Sequence, residues 1–397
     1  MNKVLLDKMD RAIYQQIINI AQVVIVLMCQ LIATYHVIIR KQRRYQHIAM
    51  MMQMQMHVNA QRQRRRPVVW ERQRSKQFWE IVVQRHFPET LWLKHFRMTK
   101  TTFDLLCNFI GPSLSSDVAS YRPPIPTEKR IAIALYKLAT CAEYRVVGEN
   151  FGVSKTTVHR CVYAVCNAIR TRMMRRYIYL PGVDEAHDIS LRNSRAHLVP
   201  QVYGAIDGTH ISIRPPAEGY RDFVNRKGWP SIVLQAVVDD RCIIRDICVG
   251  TPGSAHDAAV LTTSDLYRFP ERHPQNPIEM EGVQVPLLLA GDPAYPLLPW
   301  LMKGFSGPNL SEEEDVFNLH LNGSCVKVEH TFGRLKGRWR VLAKRSDIDH
   351  NTQVVLHNLC EKERQRFLQP GPEQQCRQFH FQYSGVKLQH IFKNSIA

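Results

Sequence analysis

At 397 residues the chain is too long for one ordinary hydrophobic core, and a 45% hydrophobic share excludes a wholly disordered tract. Lys and Arg outnumber Asp and Glu by 53 to 35, a net charge of +18 that points to a polyanion: nucleic acid first, an anionic membrane surface second. The ten cysteines form no C-x-x-C pair, which argues against a zinc framework, and their place in apolar runs fits a reducing compartment.

Residues 17–39 are an uncharged run just long enough to span a bilayer, diluted by Asn19, Gln22, Gln30 and His36 and followed by Arg40, Lys41, Arg43 and Arg44. A helix packed against another surface, a membrane anchor and disorder all remain open. A secretory signal is disfavoured by the late start and the missing cleavage site. Residues 40–76 are rich in Gln, Met and Arg, with Met50, Met51, Met52, Met54 and Met56 ahead of Arg62, Arg64, Arg65 and Arg66. Without a lasting period this stretch reads as a mobile basic linker, either a nuclear-import or phosphate-binding patch or simply solvated charge. Residues 1–76 are therefore taken as an apolar helix plus a basic linker.

Residues 77–170 read as an all-α domain. Thr99 stands at an N-cap position ahead of Phe103, Leu106 and Ile110, and Gly111-Pro112 is expected to end that helix. Thr127 and Glu128 open a second helix with Ile131, Leu135 and Leu138 on one face. Residues 144–151 then form a short helix, Gly152-Val153 a turn, and Ser154 caps a further helix with Val158, Val162 and Val165 inward. This is a helix-turn-helix layout that leaves Lys155, Thr156, His159 and Arg160 outward for DNA, although a corner used only for packing reads the same way. Residues 171–200, with Arg172, Arg175, Arg176, Asp184 and Glu185, read as a connector.

From Tyr203 the pattern turns to β. Residues 201–216 read as a strand carried by Ala205, Ile206, Ile211 and Ile213 and stopped by Pro215-Pro216, with Asp207 at its middle and Gly208 allowing close approach. An edge-strand Asp facing water is the plainer alternative. Ile232, Val233, Leu234, Val237 and Val238 make a buried second strand, Asp239-Asp240 turns the chain, and residues 242–250 return as a third. Residues 252–257 feed a helix with Val260, Leu261 and Leu266, residues 285–292 form a strand ending on Asp292, and Ser324 is expected to cap a helix where Val328, Phe332, Leu335 and Trp339 share a face beside Glu329.

That element order is that of a ribonuclease H-like mixed sheet, an α/β domain over residues 201–365 with a tail at 366–397. In it Asp207 and Asp292 are neighbours, because the fourth strand pairs beside the first, and Glu329 arrives on the helix crossing them. Three carboxylates so close repel, and at neutral pH they persist mainly around cations. Hard oxygen ligands select Mg²⁺ or Mn²⁺, whose paired action at phosphorus is the chemistry of phosphodiester cleavage. On the same helix Lys327, Arg334, Lys336 and Arg338 read as a phosphate track, or else as a solvated face that Gly333 and Gly337 interrupt.

The stretches 204–211, 220–228, 252–257, 289–292, 328–336 and 356–358, with the corner at 151–158, resemble the PIF/Harbinger transposase family, including its nuclease-like vertebrate members and the plant-type proteins named for antagonising like-heterochromatin protein. The resemblance covers about residues 95–361; the first sixty match nothing in it. It implies a DDE nuclease domain in which Asp207, Asp292 and Glu329 bind divalent metal, and a fourth acid, Asp257. On its own residues Asp257 is equally a dipole partner in a helix's first turn. The resemblance also implies a separate Myb-like DNA-binding partner. One departure is Asp292-Pro-Ala-Tyr, where many relatives have Asp-Ser or Asp-Ala followed by Gly-Tyr. The expectation is a nuclear metal-dependent DNA endonuclease, with the cytoplasm as second location and a homo-oligomer as a further partner. A chromatin-associated DNA-binding protein that no longer cuts competes with it, and a membrane-anchored protein rests on residues 17–39 alone.

Overall fold

The computed structural model describes residues 3–64, 73–115, 124–345, 348 and 350–363, and the chain divides into two units between Gln73 and Arg74. Arg65 and Arg66 of the basic cluster and the tail at 366–397 lie outside the described residues.

The first unit is one helix, α1 (Lys3–Arg64). It corrects the expected linker over residues 40–64: Gln, Met and Arg are strong helix formers, and no Gly or Pro interrupts the chain before Pro67. Within Gln15–Met56 the helix is long and apolar enough to cross a membrane by length and composition. Ile20, Val23 and Ile25, spaced around different faces of the helix, are all exposed.

The second unit opens with a wide helical turn, Phe78–Val83, continued by α2 (Gln84–His86), α3 (Glu89–Phe96), α4 (Lys100–Leu114), α5 (Thr127–Thr140), α6 (Tyr144–Phe151), α7 (Lys155–Tyr177) and α8 (Val183–His197). Thr99 caps α4 by accepting from the Thr102 N–H. That helix runs on through Gly111-Pro112 to Leu114 instead of stopping there, since a proline so near the C-terminal end removes only one ladder bond. Trp79, Trp92, Phe96, Phe103 and Phe151 form an aromatic core among these helices. α6 ends on Gly152 at φ +66°, where a Cβ would stand 2.7 Å from the Ser75 carbonyl oxygen, and Ser154 caps α7 by accepting from the Thr157 N–H at 3.1 Å. Residues 171–200 are no loose connector: α7 extends to Tyr177, and α8 sends the buried Asn193 amide to the Val202 carbonyl and the Ser324 hydroxyl.

The sheet has the order β3-β2-β1-β6-β7. β1 (Val202–Ser212) and β2 (Ser231–Val238) pair antiparallel, as do β2 and β3 (Ile244–Pro252). Two short helices, α9 (Asp257–Thr263) and α10 (Asp265–Arg268), and a hairpin of β4 (Ile278–Met280) and β5 (Val283–Val285) lead to β6 (Leu288–Gly291), which lies parallel to β1. β7 (Leu301–Lys303) extends the sheet beyond the expected strands. β1 is thus central, which overturns the edge-strand alternative. The covering helix α11 (Glu312–Arg338) starts well before Ser324; Ser311 and Glu314 form its capping box, while Ser324 sits buried in mid-helix. Finally α12 (Asn351–Lys362) places Asn358 against the outer edge of β3, its Oδ1 accepting from the Ile244 N–H at 2.9 Å and its Nδ2 donating to the Ile244 carbonyl at 2.6 Å and to that of Tyr177 at 2.8 Å.

Candidate active site

Asp207 lies on the strand with neighbours on both sides. It pairs with Ala236 of β2, and Ile206 before it pairs with Gly291, so Asp292 leaves β6 beside Asp207. Side chains alternate across a strand, so Asp207 and Thr209 share one face while Gly208 and His210 share the other. α11 covers the first face: Lys336 Nζ donates to Thr209 Oγ1 at 2.6 Å and to the His210 carbonyl at 2.9 Å. Glu329, nearly two turns earlier on that helix, is exposed. Asp257 comes over Gly208: its Oδ1 lies 2.8 Å from where a Cβ at position 208 would sit. A Cβ there would push the Asp257 carboxylate aside.

The electrostatics follow from this convergence. Burial pushes Asp207 up to about 7; its hydrogen bond from the Gly208 N–H opposes that, and the charges of Asp292, Asp257 and Glu329 add to it. Burial also raises Asp292, against hydrogen bonds from the Ala294 and Tyr295 N–H groups and the charge of Lys303, with Asp257 raising it further. None of the four acids forms an ion pair among the described residues. The Tyr295 hydroxyl is buried beside Asp257, Asp207 and Asp292 without a hydrogen-bond partner, and burial raises it strongly.

All-oxygen donors with uncompensated negative charge, beside an orphaned hydroxyl, fit a hard divalent cation with its waters. The acids gather without closing: among the described residues no three His, Cys, Asp or Glu side chains stand ready around one point. Pro293 leaves Asp292 in place at the end of β6, its carboxylate tied to the Ala294 N–H at 3.1 Å.

The expected DNA-contact residues divide. Lys155, Thr156, His159 and Arg160 are all exposed on the first turns of α7, with His159 stacked on Tyr163. The track on α11 does not hold. Arg338 is only 2% exposed and ion-paired to Glu361 at 2.9 Å, Arg334 meets the other Glu361 oxygen at 3.0 Å, and Lys336 is tied to β1. Lys327 is half-buried with its charge on His197. The helix spends Arg334 and Arg338 on a carboxylate of α12 that helical spacing cannot foresee, whereas Lys336 meets only neutral acceptors and keeps its charge uncompensated by an ion pair among the described residues.

Arg226 and Lys227, which stand exposed in the loop between β1 and β2, and His210, which ties that loop to the site, fall within the resembling stretches 220–228 and 204–211, but sequence reasoning gave them no role. A basic pair before a turn glycine, Gly228 at φ +80°, was a further signal.

Residues 206–360 match the family described as DDE superfamily endonuclease, and residues 73–171 match a domain of unknown function. The Arabidopsis thaliana protein named ALP1-like is 27% identical over 268 residues, 62% of this chain and 63% of its own length. Antagonist of Like Heterochromatin Protein 1, also from Arabidopsis thaliana, is 30% identical over 267 residues, 63% of this chain and 66% of its own. The Homo sapiens protein named "Putative nuclease HARBI1" is 29% identical over 239 residues, 60% of this chain and 65% of its own. The chain thus spans just under two thirds of the length of these relatives. No solved structure matches it. With an endonuclease-type domain laid over the strand that carries Asp207, the chain belongs to the Harbinger transposase-derived family.

Proposed function

We propose that the chain is a nuclear DNA endonuclease of transposase origin, hydrolysing phosphodiester bonds with divalent cations on a ribonuclease H-like sheet. The observation that carries this is the half-buried Asp207 carboxylate on the central strand, in no ion pair among the described residues, with Asp292 leaving the neighbouring strand and the charges of Asp292, Asp257 and Glu329 acting on it. Those four would hold Mg²⁺ or Mn²⁺, which when bound polarises phosphate oxygens and lowers the pKa of an attacking water. Gly208 keeps Asp257 within reach of the group, and its N–H fixes the Asp207 carboxylate. The Tyr295 hydroxyl, buried and unpartnered, is available to orient a water among the acids. The helix-turn-helix corner supplies the DNA contact through Lys155, Thr156, His159 and Arg160, exposed at the start of α7. A Myb-like helper protein and self-association complete the proposal.

The test is nicking of supercoiled DNA in Mg²⁺ or Mn²⁺ by the parent protein and by Asp207→Asn. Nicking by the parent alone supports the reading. Equal nicking, or none from either, removes the endonuclease and leaves a DNA-binding protein that no longer cuts.

A second reading adds membrane attachment, favoured by the uncovered apolar surface of α1. Deleting residues 1–60 would then move the protein out of the membrane fraction; an unchanged distribution rejects it.

A further inference from the structure

The hairpin loop 219–230 is built rigidly around Asn225. That buried side chain accepts from the N–H groups of Lys227 at 2.9 Å and Trp229 at 3.4 Å and donates to Ser231 Oγ at 3.1 Å. Backbone bonds from Asn225 N to the Trp229 carbonyl and from Gly228 N to the Asn225 carbonyl close the turn, and the Ser254 N–H reaches back to the Asp222 carbonyl. Ser231 Oγ also meets His210 Nδ1 at 3.1 Å, and the Trp229 ring stands edge-on to His210 at 6.0 Å. The loop is therefore anchored to β1 three residues beyond Asp207.

What this frame presents is positive charge. Arg226 and Lys227 project from its tip, with the Arg226 guanidinium directed by a hydrogen bond to His256 Nδ1 beside Asp257. Lys336 stands nearby, fixed on Thr209 and the His210 carbonyl. None of the three forms an ion pair among the described residues. Burial lowers Lys336, and the charge of Lys227 lowers it further; Lys336, Lys227 and Arg226 all depress His210, which burial lowers first and Asp257 opposes. Cations crowded without a carboxylate partner favour an anion.

We infer that Arg226 and Lys227, with Lys336 behind them, form a phosphate clamp that holds the DNA backbone against the acid site, an inference that takes the identity of its polyanion from the endonuclease reading. The clamp also answers an electrostatic problem, because the four acids alone repel a phosphodiester.

The test separates the two claims. The full-length protein carrying Asp207→Asn is mixed with a short labelled DNA duplex in EDTA, with and without Arg226→Gln and Lys227→Gln, and affinity is followed against salt. Both side chains are exposed, so folding is unaffected. The double change is expected to weaken binding about tenfold at moderate salt and to lower the slope of log affinity against log salt by about 2, since each phosphate no longer neutralised removes about 0.9. Unchanged affinity and slope overturn the clamp. Because nothing is cut in EDTA, loss of binding by the double variant upholds the clamp even if the parent protein fails to nick DNA. A parent that nicks while the double variant binds as before leaves the endonuclease and removes the clamp.

Discussion

Two basic regions flank the same sheet, and they have opposite fates. On α11, Arg334 and Arg338 converge on the single buried carboxylate of Glu361, so their charge is consumed in docking one helix to another. In the loop after β1, Arg226 and Lys227 form no ion pair among the described residues, and a frame of hydrogen bonds holds the loop in place. Counting Lys and Arg along a helix cannot tell cations consumed in packing from cations left without a carboxylate.

The sharpest way to break this contrast is Glu361→Ala. It removes the carboxylate that compensates the buried Arg338 guanidinium, with an expected loss of about 3–5 kcal/mol in a denaturant melt. A loss below about 1 kcal/mol would mean that α11 has cations to spare.

Next in size is the effect of Asp207, the acidic counterpart of the unpaired cations. Its folded-state pKa, about 7, lies above its unfolded value, so the folded state retains a proton that the unfolded chain has released. Stability without metal should then fall as pH rises from about 4 to about 7, and Asp207→Asn should remove that fall, gaining roughly 2–4 kcal/mol at pH 8. A variant with the parent's pH profile would show that the carboxylate is compensated. Divalent metal should stabilise the parent at neutral pH and the variant less.

The smallest effect is expected from Arg334→Gln. This half-exposed partner should cost about 1 kcal/mol or less and leave the salt dependence of DNA binding unchanged, where Arg226→Gln lowers it. Equal salt slopes for the two variants would erase the distinction between the regions.

Much of the acid site was legible because strands carry strong local signals. An acid in the middle of a β-branched run, a glycine after it and a second acid closing another apolar run placed Asp207 beside Asp292 once the element order fixed the strand pairing. Asp257 was undecidable from its own surroundings; its proximity to Gly208 is a contact between elements. The same limit hid α8, whose Asn193 is spent on Val202 and Ser324, while the true start of α11, at the Ser311 and Glu314 capping box, is a local signal that the reading from Ser324 missed. The fate of Arg334 and Arg338 depends on Glu361, which belongs to another helix, and periodicity within one helix carries no record of that.

Asn358 has a consequence for how the molecule is made. Its amide takes both backbone groups of Ile244 as one residue of a sixth strand would, capping the start of the sheet's outer edge at β3. During synthesis that side chain leaves the ribosome more than a hundred residues after Ile244, so the start of this edge stays uncapped in the nascent chain until α12 emerges.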